Sequence, residues 1–293
     1  MIGRVGRKRG LSQFLAVPAF VLFALFFLYP LFRAIGLSLT DWNGVGTPEF
    51  VGLANFQRFF SDQRARTDIA NTLLFALGSA PLLNVVGLCY ALLVDRKARG
   101  IGFARMAVYL PAVVSPLVMG YIWYFILQPK RGFLAMLMPN AAVFSSHAGW
   151  FADRPSALIM LILVNVWQYA GMTMIIYLAG LQSIPTELYE AAHIDGAGAW
   201  SRLRRITIPL LYPAIRVNVV TNIIGSLAVF DVIVSLTGGG PGYATESLSL
   251  YIMRMVYGGS TGYSTAVAVI LFVVILIPVL VSLRLLSRVE ATT

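Results

Sequence analysis

Apolar residues run through this chain in long blocks separated by polar or basic connections. A helix that crosses the hydrocarbon core needs about 20 predominantly apolar residues. Six blocks meet that length, at roughly 13–34, 69–94, 106–127, 156–180, 212–235 and 263–284, and they predict six membrane-spanning helices. The first follows Arg4, Arg7, Lys8 and Arg9 and so has the outline of a signal peptide. Its apolar run exceeds the roughly 7–15 residues of such a segment and reaches Arg33 without a small-residue cleavage site. It is read as a retained helix. Leu248, Tyr251, Ile252, Met255 and Val256 recur at i, i+3, i+4, i+7 and i+8. That stripe predicts a short helix in the outer interface, serving as an anchor or as part of a dock for an external partner.

Composition sharpens the picture by exclusion. Charged residues are 12% of the 293 and hydrophobic ones 58%, against roughly 25% charged in soluble proteins. One cysteine, Cys89, and two histidines, His147 and His193, exclude a disulfide framework and argue against a zinc cage. A phosphate-binding loop needs Lys followed by Ser or Thr. Here the lysines precede Arg9, Ala98 and Arg131, so the chain cannot hold ATP in that way. Within the six blocks the one carboxylate is Asp231, near an end, which argues against a proton- or ion-coupled carrier. Paired aspartates, a HExxH helix or a Ser–His arrangement in the spans would mark a membrane-embedded enzyme, and none is present. The net charge of +10 reflects topology and anionic lipid headgroups rather than nucleic acid.

Basic residues also orient the chain. Fourteen Lys and Arg fall on the side of the N-terminus, the 95–105 and 181–211 loops and the C-terminal tail, and seven on the other. Arg33, at a helix end, is read as snorkelling to the outer headgroups. Both termini are therefore expected in the cytoplasm. The long connections 35–68, 128–155 and 236–262 are external on this reading, with His147 at the surface of the second.

The 181–211 loop is more elaborate than a basic connection. Pro185 suits a first helical turn, Glu187 and Glu190 lie towards the positive end of a helix dipole, and Asp195-Gly196 should end that helix. A second short helix is expected from Trp200 to about Ile208, carrying Arg202, Arg204 and Arg205. Ala191, Ala192, Ala197, Gly198 and Ala199 are small enough for another backbone to approach closely. Two readings stand: an amphipathic loop packed on its own bundle, or a docking element.

In the spans, Asn165, Gln168, Tyr169 and Met172 share one face of the fourth helix, and Asn222 and Ser226 share one of the fifth with Gly225 beside them. Uncharged amide, hydroxyl and aromatic groups suit a sugar, while the same groups also glue helices together. Asp231 is either a gate or partner contact, or a carboxylate that stabilises its own loop. The Thr237–Gly242 stretch offers backbone flexibility and exposed amides.

Glu190-Ala191-Ala192, Asp195-Gly196-Ala197 and Ile206-Thr207-Ile208-Pro209-Leu210-Leu211 resemble the EAA motif of binding-protein-dependent ABC importer permeases. Phe230-Asp231-Val232 leading into Leu236-Thr237-Gly238-Gly239-Gly240-Pro241 is similar to the branch that imports maltose, other oligosaccharides and glycerol phosphate. So are Tyr29-Pro30, Leu110-Pro111 and Trp150-Phe151 before Asp153. The resemblance spans about residues 13–286, with Ile208 where the pattern usually has Leu.

The resemblance implies an all-α membrane protein, the six-helix N-in/C-in transmembrane domain of a type I ABC importer, with a cytoplasmic helix–turn–helix coupling loop. It places the permease domain at 13–286, between a basic N-terminus at 1–12 and a tail at 287–293. It assigns Glu190, Ala191, Ala192, Asp195 and Gly196 to contact with an ATPase. It also matches the polar span positions to the sugar site of the maltose importer's larger permease, where only the fourth-span asparagine keeps its type, so a different cargo is implied. The implied partners are a second permease subunit, two copies of a cytoplasmic ATPase, an extracytoplasmic solute-binding protein, a sugar substrate and membrane lipid, with no nucleic acid. The chain itself would be no enzyme and bind no cofactor, ATP and magnesium residing on the ATPase, in the inner membrane of a bacterium or archaeon. The alternative function is an ATP-independent secondary transporter or channel.

Overall fold

The computed structural model describes residues 17–96, 98–129, 131–138 and 149–290. The basic stretch 1–12 and His147 lie outside them. Two compact units are distinguished, Met1–Ser61 with Ile252–Ile270, and Asp62–Tyr251 with Leu271–Thr293.

The first unit begins with α1, Val17–Ser38. A wide π-turn at Ala24–Leu28 precedes Pro30, whose ring and missing N–H disrupt the regular ladder and are absorbed upstream. A two-residue antiparallel ladder, absent from the all-helical expectation, pairs β1 (Thr40–Asp41) with β2 (Glu49–Phe50). Helix α2, Ala54–Ser61, is tied to it by buried Asn55, whose amide donates to the carbonyls of Ser38 and Thr40 at 2.9 Å each. The Gly262 amide donates to Trp42 at 2.8 Å, and the Arg58 guanidinium lies 4.1 Å from the centre of the Tyr263 ring.

The second unit contains α3 (Gln63–Val94), α4 (Ile101–Val113), α5 (Pro116–Leu127), α6 (Phe133–Leu137), α7 (Arg154–Gln182), α8 (Thr186–Ile194), α9 (Ala199–Leu210), α10 (Tyr212–Leu227) and α11 (Asp231–Leu236). Helices α12 (Leu248–Tyr257) and α13 (Thr261–Glu290) each contribute residues to both units. The core forms along α3 and α7. One cluster joins Leu83, Val166 and Ala170, and another joins Ala91, Met174, Tyr177, Leu181 and Leu211. Small residues set the spacing. A Cβ on Gly171 would strike the Val108 carbonyl and the Tyr109 backbone of α4, and Gly87 faces the Thr173 side chain. In lipid, helix association depends on such close packing because apolar surface gains little by leaving the hydrocarbon.

Among the described residues, four helices are long and apolar enough to cross a membrane singly, and two bent pairs bring the total to six if each pair is one span. Two expected spans are not continuous. The third block breaks between α4 and α5, which lie at 98°. Val114 and Ser115 are extended there, with ψ of 143° and 130°, because Pro116 disfavours helical geometry in the residue before it. The fifth block meets α9 at 70° and then stops at Leu227 rather than reaching 235. Residues 228–230 leave the helix, and α11 begins afresh at Asp231. The hydroxyls of Ser247 and Ser249 donate to the Val229 and Ala228 carbonyls at 2.8 and 3.3 Å. They satisfy carbonyls that the break would otherwise leave unpaired.

Candidate functional site

Helix α7 starts with Asp153, which accepts from the Ser156 amide at 2.9 Å and from the Ser156 hydroxyl. Those bonds hold its carboxyl below the ordinary carboxylate range. Helical spacing then brings Asn165, Gln168, Tyr169 and Met172 to one wall of a cavity of about 310 Å³. Helix α10 supplies Asn222, Gly225 and Ser226 on another. All seven residues singled out in the spans therefore line the same space.

The cavity's polar groups are neutral on both helices. The Asn165 amide donates to Ser79 Oγ at 2.6 Å, which fixes the α7 face against α3. Thr173 Oγ1 donates to Asn222 Oδ1 at 3.3 Å, and the Asn218 amide donates to the Thr173 carbonyl at 3.2 Å. Three buried polar atoms, Gln168 Nε2, Asn222 Nδ2 and Ser226 Oγ, meet no hydrogen-bond partner among the described residues. Gln168 is 1% and Ser226 2% exposed. An unmade buried bond costs about 1–3 kcal/mol, so these atoms suit water or the hydroxyls of a solute.

Thr173, Asn218, Thr221, Phe230 and Asp231 also line the cavity and were not selected as pathway residues from sequence. Thr173 lies four residues after Tyr169 and Asn218 four before Asn222, so their helical periodicity was available as a signal. Asp231 was not reachable that way, because the break at 228–230 resets the helical phase before it. The reading of Asp231 as a loop-stabilising carboxylate is not what the structure displays. Its backbone carbonyl accepts from Ser235 Oγ at 2.6 Å, while the residue itself forms part of the cavity lining.

In the glycine-rich turn the amides of Gly239 and Gly240 are bonded within the turn rather than free. Gly238 and Gly239 adopt φ of 58° and 83°, the left-handed region that favours glycine. The Gly239 amide donates to Thr237 Oγ1 at 3.1 Å and the Gly240 amide to the Thr237 carbonyl at 3.0 Å. Thr245 Oγ1 closes the turn by donating to the Gly240 carbonyl at 2.6 Å.

The 181–211 segment forms two short helices. Pro185 caps α8, whose end is Ile194, followed by Asp195 and then Gly196 at φ 75°. The second helix starts at Ala199 and runs to Leu210 with a π-turn at Leu203–Thr207, slightly longer than expected. Tyr189 and Thr207 join the two through their hydroxyls at 3.0 Å. Glu190, Ala191, Asp195 and Gly196 are exposed and Ala192 is half-buried. Beside them Ile194 is 85% and Trp200 72% exposed. Large apolar side chains beside an exposed carboxylate make a surface suited to a protein partner.

Residues 84–290 match the family model described as binding-protein-dependent transport system inner membrane component. The chain is 34% identical over 285 residues to the probable starch degradation products transport system permease protein AmyD of Thermoanaerobacterium thermosulfurigenes, covering 97% of this chain and 96% of that one. It is 32% identical over 271 residues to the trehalose/maltose transport system permease protein MalF of Thermococcus litoralis, covering 92% and 91%. It also superposes, with a TM-score of 0.81 and 26% identity over 98% of its length and 99% of the other, on a chain from a crystal structure of a bacterial alginate ABC transporter in complex with an alginate pentasaccharide-bound periplasmic protein.

Proposed function

The chain belongs to the family of binding-protein-dependent transport system inner membrane components, and from that premise we propose that it supplies one half of a pathway for a sugar or oligosaccharide. It is an inner-membrane transport component, and the ATP-independent carrier reading gives way to the importer reading. A second, similar permease would complete the pathway. Two copies of a cytoplasmic ATPase would hold the ATP and magnesium, and an extracytoplasmic solute-binding protein would deliver the cargo. The observation that carries the sugar reading is the cavity, where amides, hydroxyls and the Tyr169 ring line one space and three buried polar atoms meet no partner among the described residues. Hydroxyl-rich solutes match such groups through bidentate hydrogen bonds and ring stacking. The relatives named for starch products and trehalose/maltose support the same cargo class.

Glu190, Ala191, Ala192, Asp195 and Gly196 are assigned to the ATPase contact. Glu190 would pair with a donor on the ATPase through a charge-assisted hydrogen bond, and exposed Ile194 and Trp200 would be covered there. The test is native purification of the tagged chain in mild detergent, with partners weighed by mass spectrometry, followed by sugar uptake in proteoliposomes. An ATPase, a second permease and ATP-dependent uptake of an oligosaccharide delivered by its binding protein are expected. A chain that purifies alone, or uptake without ATP, would overturn the reading.

A further inference from the structure

At the start of α3 two carboxyl groups are fully buried beside one guanidinium. Asp68 and Glu246 are each 0% exposed. Arg64 Nε donates to Glu246 Oε2 at 2.7 Å and Arg64 Nη2 to Oε1 at 2.9 Å. The guanidinium is also held 3.7 Å from the centre of the Tyr243 ring and 5.2 Å from that of Tyr251, so it is committed to Glu246. Asp68, one turn further along α3, meets no donor at Oδ1 or Oδ2 among the described residues. On α3 it lies between Arg64 and Asn71, one turn from each, and both of these bond Glu246, which sets the two carboxyl groups on the same face of the helix. Two ionised carboxylates cannot bond to each other, because neither has a hydrogen to donate. One guanidinium balances only one of them, and an uncompensated buried charge is strongly disfavoured.

We infer that Asp68 and Glu246 share one proton, forming a proton-binding site that fastens the 237–247 loop to α3. A helix of 32 residues spans about 48 Å, more than the roughly 30 Å hydrocarbon core, and its apolar run begins only after Asp68. The pair therefore sits beyond the hydrocarbon, at the end of α3. Asp62 and Arg64 face it from the same end of α3, Tyr243 and Glu246 from the loop, and Tyr251 from α12 through its hydroxyl on Asp62 at 2.7 Å. Arg154 of α7 reaches it through Asn71, donating from Nε to Oδ1 at 2.9 Å.

The loop so fastened, with the residues that follow it, is also tied to α3 and to the break before Asp231. The Asn71 amide donates to the Glu246 carbonyl at 2.9 Å, the Leu248 amide to Thr72 Oγ1 at 3.0 Å, and Ser247 Oγ to Val229 in the break before Asp231. Loss of the shared proton leaves two negative charges against one positive and pushes the loop off α3. The folded chain keeps a proton that an unfolded one releases above about pH 4. Stability therefore falls as pH rises from about 4, where the unfolded carboxyl ionises, to the pH at which the folded pair ionises, and levels off above it.

The full chain in detergent tests this by thermal melting from about pH 5 to about pH 9, wild type beside Asp68→Asn. Asparagine keeps the shape and donates to Glu246 without a titrating proton. The wild type is expected to lose on the order of 3 °C per pH unit relative to the variant while the folded pair keeps its proton, with no further relative loss above the pH at which the pair ionises. Parallel curves overturn the site. Infrared spectroscopy supplies a readout that needs no variant to fold. At neutral pH the wild type should show the C=O stretch of a protonated, non-exchanging carboxyl that disappears at alkaline pH, and its absence also overturns the site. Neither measurement involves cargo, so failure here leaves the transport reading untouched, and the reverse holds.

Discussion

Arg64 and Glu246, 182 positions apart, form a two-pronged ion pair at 2.7 and 2.9 Å, with the carboxylate fully buried. The pair closes the loop that follows the cavity-lining helix α11 against the beginning of α3. Removing one partner of a buried pair costs about 3 kcal/mol, because the other is left uncompensated. Arg64→Ala should lower the melting temperature of the chain in detergent accordingly. Arg64→Lys should recover only part of it, since an ammonium lacks the planar fork that meets both oxygens. A melting temperature unchanged in Arg64→Ala would show that the pair contributes nothing.

Asn165→Ala and Asn222→Ala should each reduce sugar uptake about tenfold, the equivalent of one lost hydrogen bond to a solute of about 1.4 kcal/mol. Assembly with partner subunits should persist. Proteoliposome uptake together with size-exclusion profiles checks both halves. Wild-type uptake in both variants would remove these amides from the pathway.

Glu190→Arg should leave insertion and folding intact while separating ATP hydrolysis from uptake. Glu190 is exposed and takes no part in the α8–α9 contact made by Tyr189 and Thr207. Hydrolysis and uptake measured on the same proteoliposomes decide the matter. Normal substrate-dependent uptake would dismiss the coupling role.

Gly171→Leu should destabilise the packing of α4 on α7 by about 1–3 kcal/mol. Even a Cβ there would strike the Val108 carbonyl and approach the Tyr109 Cα at 2.8 Å, and backbone cannot swing aside. Gly225→Ala should be tolerated structurally, because no atom lies within 4 Å of a Cβ at that position. A comparison of the two melting curves checks the contrast, and equal losses would refute it.

The cavity face was legible because helical periodicity carries Asn165, Gln168, Tyr169 and Met172 to one side whatever surrounds them. The α8–α9 turn was legible because Gly196 ends a helix locally. The break at 228–230 was not. Ala228, Val229 and Phe230 include neither glycine nor proline, and the hydroxyls that satisfy the freed carbonyls come from Ser247 and Ser249. For the same reason Asp231 could be placed near a helix end from sequence but not in the cavity lining.

Asp68 makes the point most sharply. Read from sequence it precedes the second apolar run as one more charge in a polar loop, whereas in the structure it is wholly buried beside Glu246. The sequence by itself determined the apolar blocks, the charge bias and the faces of single helices, because each depends on the spacing of neighbours along the chain. Only the tertiary structure decided which blocks bend or break and which distant side chains pair. A carboxylate's partner or a carbonyl's donor is fixed by proximity in space, and more than a hundred residues of chain can separate the two.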